Sequence, residues 1–114
     1  MSRRTEKVSS LIQKEVGPML IELELPGLVT VSKVETSDDL NHAKIWITVM
    51  PAGDEQEKEV LKLIGESLYK MQGELNRKLR MRAVPKIAFT IDHSEEYADH
   101  INKLIRKSKE QEHD

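Results

Sequence analysis

The sequence predicts an α+β fold: a three-stranded mixed sheet packed against helices, in the order α-β-β-α-α-β-α. Three observations predict it. Apolar residues recur at helical spacing in three long segments. Three short segments between them favour strand by their β-branched content or their alternating polarity. Finally, only a short polar turn separates the first two strand segments, which makes an antiparallel hairpin, whereas a long helical segment leads to the third.

The first helical segment runs from Ser2 to about Glu24. Val8, Leu11, Ile12, Val16, Met19, Leu20 and Leu23 form its apolar face. Gly17-Pro18 interrupts it, because a proline inside a helix removes one hydrogen bond and clashes with the carbonyl four residues back. Either one kinked helix or two helices satisfy the pattern. Pro26-Gly27 ends it. Leu28 to Glu35 is the first strand. The polar stretch Thr36-Ser37-Asp38-Asp39-Leu40-Asn41 is a turn. His42 to Met50 is the second strand, with Ala43, Ile45, Ile47 and Val49 on one face and Lys44, Trp46 and Thr48 on the other.

After the breaker Pro51-Ala52-Gly53, Asp54 with Glu57 three residues on has the composition of a helix cap. Val60, Ile64, Leu68, Met71, Leu75 and Leu79 then form one long apolar stripe. A single helix to Arg82 exceeds the usual length in a small domain. The expectation is therefore two helices, with a break near Gly65, Ser67–Tyr69 or Gly73. Val84 precedes Pro85 and leaves the helical region. Lys86 to Ile91 is the third strand. Asp92 or Ser94 caps a last helix whose apolar face is Tyr97, Ile101, Leu104 and Ile105. Residues 1–107 make one domain, and the polar residues 108–114 fray.

The chain has 114 residues, enough for one modest core. Its net charge of −2 provides no overall field toward nucleic acid, so any affinity for RNA must come from a patch. It has no cysteine, which excludes disulfides, thiolate metal sites and a cysteine nucleophile. No apolar run reaches the roughly 20 residues of a membrane helix. The expected setting is cytoplasmic, without a membrane.

Positive charge is concentrated in one place. Arg77, Lys78, Arg80 and Arg82 put four cations into six residues, and Lys86 follows. Cations at a helix C-terminus oppose its dipole, worth about 0.3–1 kcal/mol each. One or two suffice for that, so a cluster of four points to phosphate. Arg3, Arg4 and Lys7 extend the patch from a helix start, where positive charge is locally unfavourable. Arg106, Lys107 and Lys109 need only the dipole explanation. Ser37-Asp38-Asp39 has carboxylates suited to a hard cation but is better explained as turn chemistry. His93, Glu96 and His100 lack a zinc pattern, and His42 lacks a catalytic partner set. Trp46, one of few aromatics, is expected to pack into the core rather than to stack on a base.

Two groups of motifs go together. One is Leu28-Val29-Thr30-Val31-Ser32-Lys33-Val34-Glu35-Thr36-Ser37-Asp38-Asp39-Leu40 with Ala43-Lys44-Ile45-Trp46-Ile47. The other is Leu79-Arg80-Met81-Arg82-Ala83-Val84-Pro85-Lys86-Ile87-Ala88-Phe89, then Asp92 and Ser94. With them the chain resembles, over nearly its whole length, the ribosome-binding factor A family of bacterial small-subunit maturation factors. The resemblance implies a type-II KH-like fold. It implies binding to the small (30S) ribosomal subunit and its 16S ribosomal RNA during late maturation, including processing of the 5′ end, and support of growth in the cold. It also implies no catalysis and no cofactor. The RNA-binding residues would be Arg77, Lys78, Arg80, Arg82 and Lys86, assisted by Arg3, Arg4 and Lys7, in a monomer. The family kinks its central helices at Ala-x-Gly; Ser67, Leu68 and Tyr69 stand there in this chain. Tyr69 in place of the glycine disfavours a sharp left-handed kink. The alternative function is a KH-like module that binds a protein partner associated with RNA.

Overall fold

The computed structural model describes residues 3–94. Helix α1 (Arg3–Glu22) is followed by strands β1 (Leu28–Thr36) and β2 (His42–Met50), helix α2 (Asp54–Lys78) and strand β3 (Lys86–Ile91). The sheet order is β1-β2-β3. β1 pairs with β2 antiparallel, from Leu28 opposite Met50 to Thr36 opposite Ala43. β2 pairs with β3 in parallel, from His42 opposite Lys86 to Ile47 opposite Ile91. The predicted hairpin, mixed sheet and α+β class are all present, and they are compatible with a KH-like fold. The expected last helix, with Tyr97, Ile101, Leu104 and Ile105, and the tail 108–114 lie outside the described residues.

The core is the layer between one sheet face and two helical stripes. Ala43, Ile45, Ile47 and Val49 of the central strand are all buried, as their alternation requires. Val8, Ile12, Val16, Met19 and Leu20 of α1 cover them together with Val60, Ile64, Met71 and Leu75 of α2. Ile12, Ile45, Ile47 and Leu75 are wholly inaccessible. Each such side chain contributes about 1.5–3 kcal/mol by leaving water. Thr5, Ser9 and Thr36 are buried polar residues. The hydroxyls of Ser9 and Thr36 meet at 2.7 Å and tie α1 to the end of β1.

One open alternative is decided and three expectations need correction. First, α1 is one helix, with Pro18 inside it. Buried Val16 lies on one side of Pro18 and Met19 and Leu20 on the other, so packing holds the helix across the lost hydrogen bond. Second, α2 is one continuous helix through Gly65, Ser67, Leu68, Tyr69 and Gly73. Its buried stripe never leaves helical register, and no proline interrupts it. It ends at Lys78 rather than Arg82. Third, Asp54 is not the cap. Gly53 holds that position without a side-chain hydrogen bond, and Asp54 opens the helix, where its charge still suits the dipole. Fourth, Trp46 is not in the core. It sits half-buried on the sheet face turned away from α1 and α2, with Lys33 Nζ 4.5 Å and Lys44 Nζ 5.1 Å from its ring centroid.

The α1–β1 connection depends on Gly27. Its φ is +76°, and a Cβ there would collide with the Met50 carbonyl and the Gln56 amide. Gly65 is the opposite case, because nothing lies within 4 Å of where its Cβ would stand. Gly27→Ala is expected to destabilise by about 1–3 kcal/mol. Gly65→Ala is expected to stabilise by about 0.5–1 kcal/mol, because α2 is helical there. Urea denaturation of both variants checks the pair.

At the end of β3, Asp92 accepts hydrogen bonds from Ser32 Oγ at 2.6 Å and from Ser94 Oγ at 2.6 Å and N at 2.9 Å. The Ser32 bond, then those from Ser94, lower its carboxyl from 3.8 to about 2. A carboxylate depressed by folding stabilises above its unfolded pKa and loses that effect as protons bind the native state. Stability is therefore expected to fall between about pH 4 and pH 2. In Asp92→Asn this part of the fall should flatten, read from denaturation midpoints across that range.

Candidate nucleic-acid interface

The basic loop after α2 owes its shape to an alternation. Leu79 leaves the helix with extended backbone (φ −88°, ψ 124°), while its N–H still donates to the Leu75 carbonyl at 2.9 Å. Leu79 and Pro85 are buried, and Met81 is half-buried against the core. Between them Arg80 and Arg82 turn outward. Apolar residues at alternate positions anchor the loop and leave two guanidinium groups in solvent.

Gln72 fixes where this loop ends. Its amide nitrogen donates to the Pro85 carbonyl at 3.0 Å, and its amide oxygen accepts from Ile87 N at 2.9 Å. The same nitrogen also reaches Asn76 Oδ1 at 3.1 Å. The polar residue therefore bridges α2 to the start of β3. Nothing in the sequence marks it, because one glutamine in a polar helix face has no pattern.

The turn between β1 and β2 supplies another wall. Leu40 adopts the left-handed conformation (φ 61°), and its N–H donates to the Ser37 carbonyl at 2.9 Å. Asp39 accepts from Ser37 Oγ at 2.6 Å, from Asn41 N at 3.0 Å and from Asn41 Nδ2 at 3.1 Å. The Ser37 hydroxyl, and then the Asn41 N–H, hold its carboxyl below the usual value. Asp39 thus does turn chemistry, as expected. The Asn41 carbonyl accepts Lys86 N at 2.9 Å and joins the turn to β3.

The start of α1 is the third wall. Arg4, Lys7, Val8 and Leu11 face the loop and the turn across a groove of about 600 Å³, which Arg80, Met81, Arg82 and Ala83 close on the other side. Four cations from two segments of the sequence thus share one concavity. Among the described residues none of the four forms an ion pair. Asp39 also lines the groove as its one carboxylate, already occupied by three donors. The lining holds no histidine and no hydroxyl side chain. Its chemistry is that of a receptor for anions with an apolar floor.

The other candidates are placed differently. Arg3 stands exposed at the start of α1 outside the groove. Arg77 is exposed in the last turn of α2, its guanidinium beside Gly73. Lys78 pairs with Glu15 of α1 at 3.7 Å, a half-exposed bridge worth at most about 1 kcal/mol. Lys86 opens β3 with its side chain in solvent. Ser67 and Leu68 are half-buried in α2, and Tyr69 is 94% exposed. His93 meets Glu57 at 3.0 Å; Glu96 and His100 lie outside the described residues. Among the described residues no cluster of His, Cys, Asp and Glu is arranged to hold a metal ion.

Comparison with known proteins converges on one family. The profile of "Ribosome-binding factor A" matches residues 4–105. The ribosome-binding factor A of Geobacter metallireducens is 36% identical over 110 residues, covering 94% of this chain and 92% of that protein. That of Bdellovibrio bacteriovorus is 35% identical over 109 residues, covering 92% and 80%. Among solved structures, a putative ribosome-binding factor A from Thermotoga maritima superposes with a TM-score of 0.67 at 26% identity, covering 79% of this chain and 88% of that one. A Thermus thermophilus homology model, fitted into an electron cryomicroscopy map of a 30S–RbfA complex, gives 0.62 at 20% identity, covering 75% and 91%. With the profile match over most of its length and relatives at this identity, the chain belongs to the ribosome-binding factor A family.

Proposed function

We propose that this protein is a non-catalytic assembly factor that docks its basic groove onto 16S ribosomal RNA of the small subunit during late maturation. The observation that carries this proposal is the meeting of Arg4 and Lys7 with Arg80 and Arg82 around one groove, with no ion pair among the described residues to neutralise them. Arg3, Arg77 and Lys86 stand outside the groove as further phosphate contacts, and Lys78 shares its charge with Glu15. Family membership supports the ribosome as partner, and the Thermus relative is described in a complex with the 30S subunit. The proposal extends to processing of the RNA 5′ end, to support of growth in the cold, and to a monomer acting in the cytoplasm.

Phosphate contacts position a protein without reading sequence. Specificity then comes from the fit of the groove to a shaped segment of RNA, with Leu11 and Met81 offering apolar surface between the cations. The helix dipole bears on the same point. Arg3, Arg4 and Lys7 sit at the positive end of α1, where cations cost local stability. A bound phosphate reverses that cost, because its charge suits both the side chains and the free N–H groups of a helix start.

An alternative function is a module that binds a protein partner associated with RNA; salt separates the two. Removing one cation that holds a phosphate should reduce the slope of log affinity against log salt by roughly 0.7–0.9. The double variant Arg80→Glu/Arg82→Glu should keep its fold, because both side chains are exposed. Its co-sedimentation with small subunits should fall about tenfold or more, with a shallower salt dependence. Undiminished co-sedimentation of the folded variant would refute the groove as the RNA site.

A further inference from the structure

The end of the molecule opposite the basic groove carries exposed apolar side chains. Ile21 is 77% exposed and Leu28 65% exposed. They border a shallow groove of about 380 Å³ between the second half of α1 and the first half of β1, Leu28–Val31. Gly17 lines its helical wall, and nothing lies within 4 Å of where a Cβ would stand there.

β1 is an edge strand. An edge exposes backbone N–H and C=O groups, and folded proteins blunt it with bulges and lysines. Here the blunting covers only the second half. The register shifts between Val31 and Lys33, and Lys33 itself is exposed. Leu28–Val31 carry neither device, and these are the residues that line the groove. Among the described residues no strand pairs with the outer side of β1, so a partner strand would find outward-facing backbone groups and apolar surface together.

Charge identifies the partner. α1 has no basic residue in its last turn, so no cation of the helix itself offsets the negative end of its dipole. Exposed Glu22 and Glu24 add to it. The acidic start of α2, with Asp54 and Glu55, lies at the same end, where Gln56 Nε2 donates to the Pro26 carbonyl at 3.2 Å. This field repels phosphate and attracts cations.

We propose that the α1–β1 groove binds an extended segment of another protein, apolar at alternate positions with Lys or Arg beside them, as a fourth strand on Leu28–Val31. Main-chain hydrogen bonds to the outward-facing groups of this edge would supply affinity, and the apolar positions would seat against Ile21, Val29 and Val31 on the helix side of the sheet. The cations would meet Glu22 and Glu24. This site is separate from the basic groove and does not rest on the RNA proposal.

The test uses the full chain and a short synthetic peptide of alternating valine and lysine, with an alternating valine and glutamate peptide as control. The basic peptide should bind and slow amide hydrogen exchange at residues 28–31, and the acidic one should not. The double variant Ile21→Lys/Leu28→Lys, and separately Gly17→Trp, should weaken binding about tenfold or more. Tyr69→Lys should not change it. Arg80→Glu/Arg82→Glu should also bind the basic peptide normally, so loss of RNA docking leaves this result untouched. Equal binding of both peptides, or protection elsewhere than residues 28–31, would overturn the proposal. So would outward-facing amides of 28–31, those not bonded to β2, that are already protected in the free protein, whether by its own residues or by a second copy seen in sedimentation equilibrium.

Discussion

The parallel pairing of β3 with β2 is the constraint from which the rest follows. Two parallel neighbours cannot be joined by a turn; the chain must return along the sheet before it can start again. Because Lys86 lies opposite His42, that return must end beside the first residue of β2. α2 makes the journey. At about 1.5 Å per residue its 25 residues span roughly 38 Å, whereas the nine residues of β2 span about 30 Å. The helix overshoots, and residues 79–85 must double back. The basic loop is this doubling back, held by buried Leu79 and Pro85 and by the Gln72 amide. Its neighbours are then dictated: the β1–β2 turn, because β2 begins there, and the start of α1, because that helix runs antiparallel to α2.

Much of this was legible because it rests on strong local signals. The alternation of Ala43, Ile45, Ile47 and Val49 identified the central strand and its buried face. Pro85 and Val84 marked the entry to β3. In the helices, packing overrides a local preference. Pro18 read as a kink or a break, and Gly65 as one of three possible breaks, yet each lies within a helix whose buried stripe continues on both sides. Trp46 read as core because it is large and apolar, but strand alternation puts it opposite Ile45 and Ile47, where two lysines cover it. At the site, the density of cations was visible but their convergence was not. Arg4 and Arg82 are separated by most of the described chain, and nothing local says that they share a groove. Lys78 and Arg77 belong to the same dense run, yet they stand outside it.

The two helices distribute charge by different rules. In α2, acids open the helix and cations close it, as the dipole favours. In α1, the cations come first and no base closes the helix, against the dipole. Helix stability explains the first arrangement and not the second. Since the helices run in opposite directions, both arrangements put positive charge at one end of the domain and acid at the other. Among the described residues the two signs of charge are in this way separated along the domain, and separated charge is turned by a polyanion before it touches it.

The groove is walled by α1, the β1–β2 turn and the loop before β3, so its members come from near both ends of the described chain. On a growing polypeptide the α1 wall is made early, yet it faces nothing until β3 has docked beside β2. That docking is a long-range contact, and such contacts form late. A chain stopped before Lys86 would carry every cation of the groove but no concavity to hold them together. On the proposed function, tight attachment to RNA would report that the whole domain is finished, and the recipient would in turn stabilise that finished state by mass action.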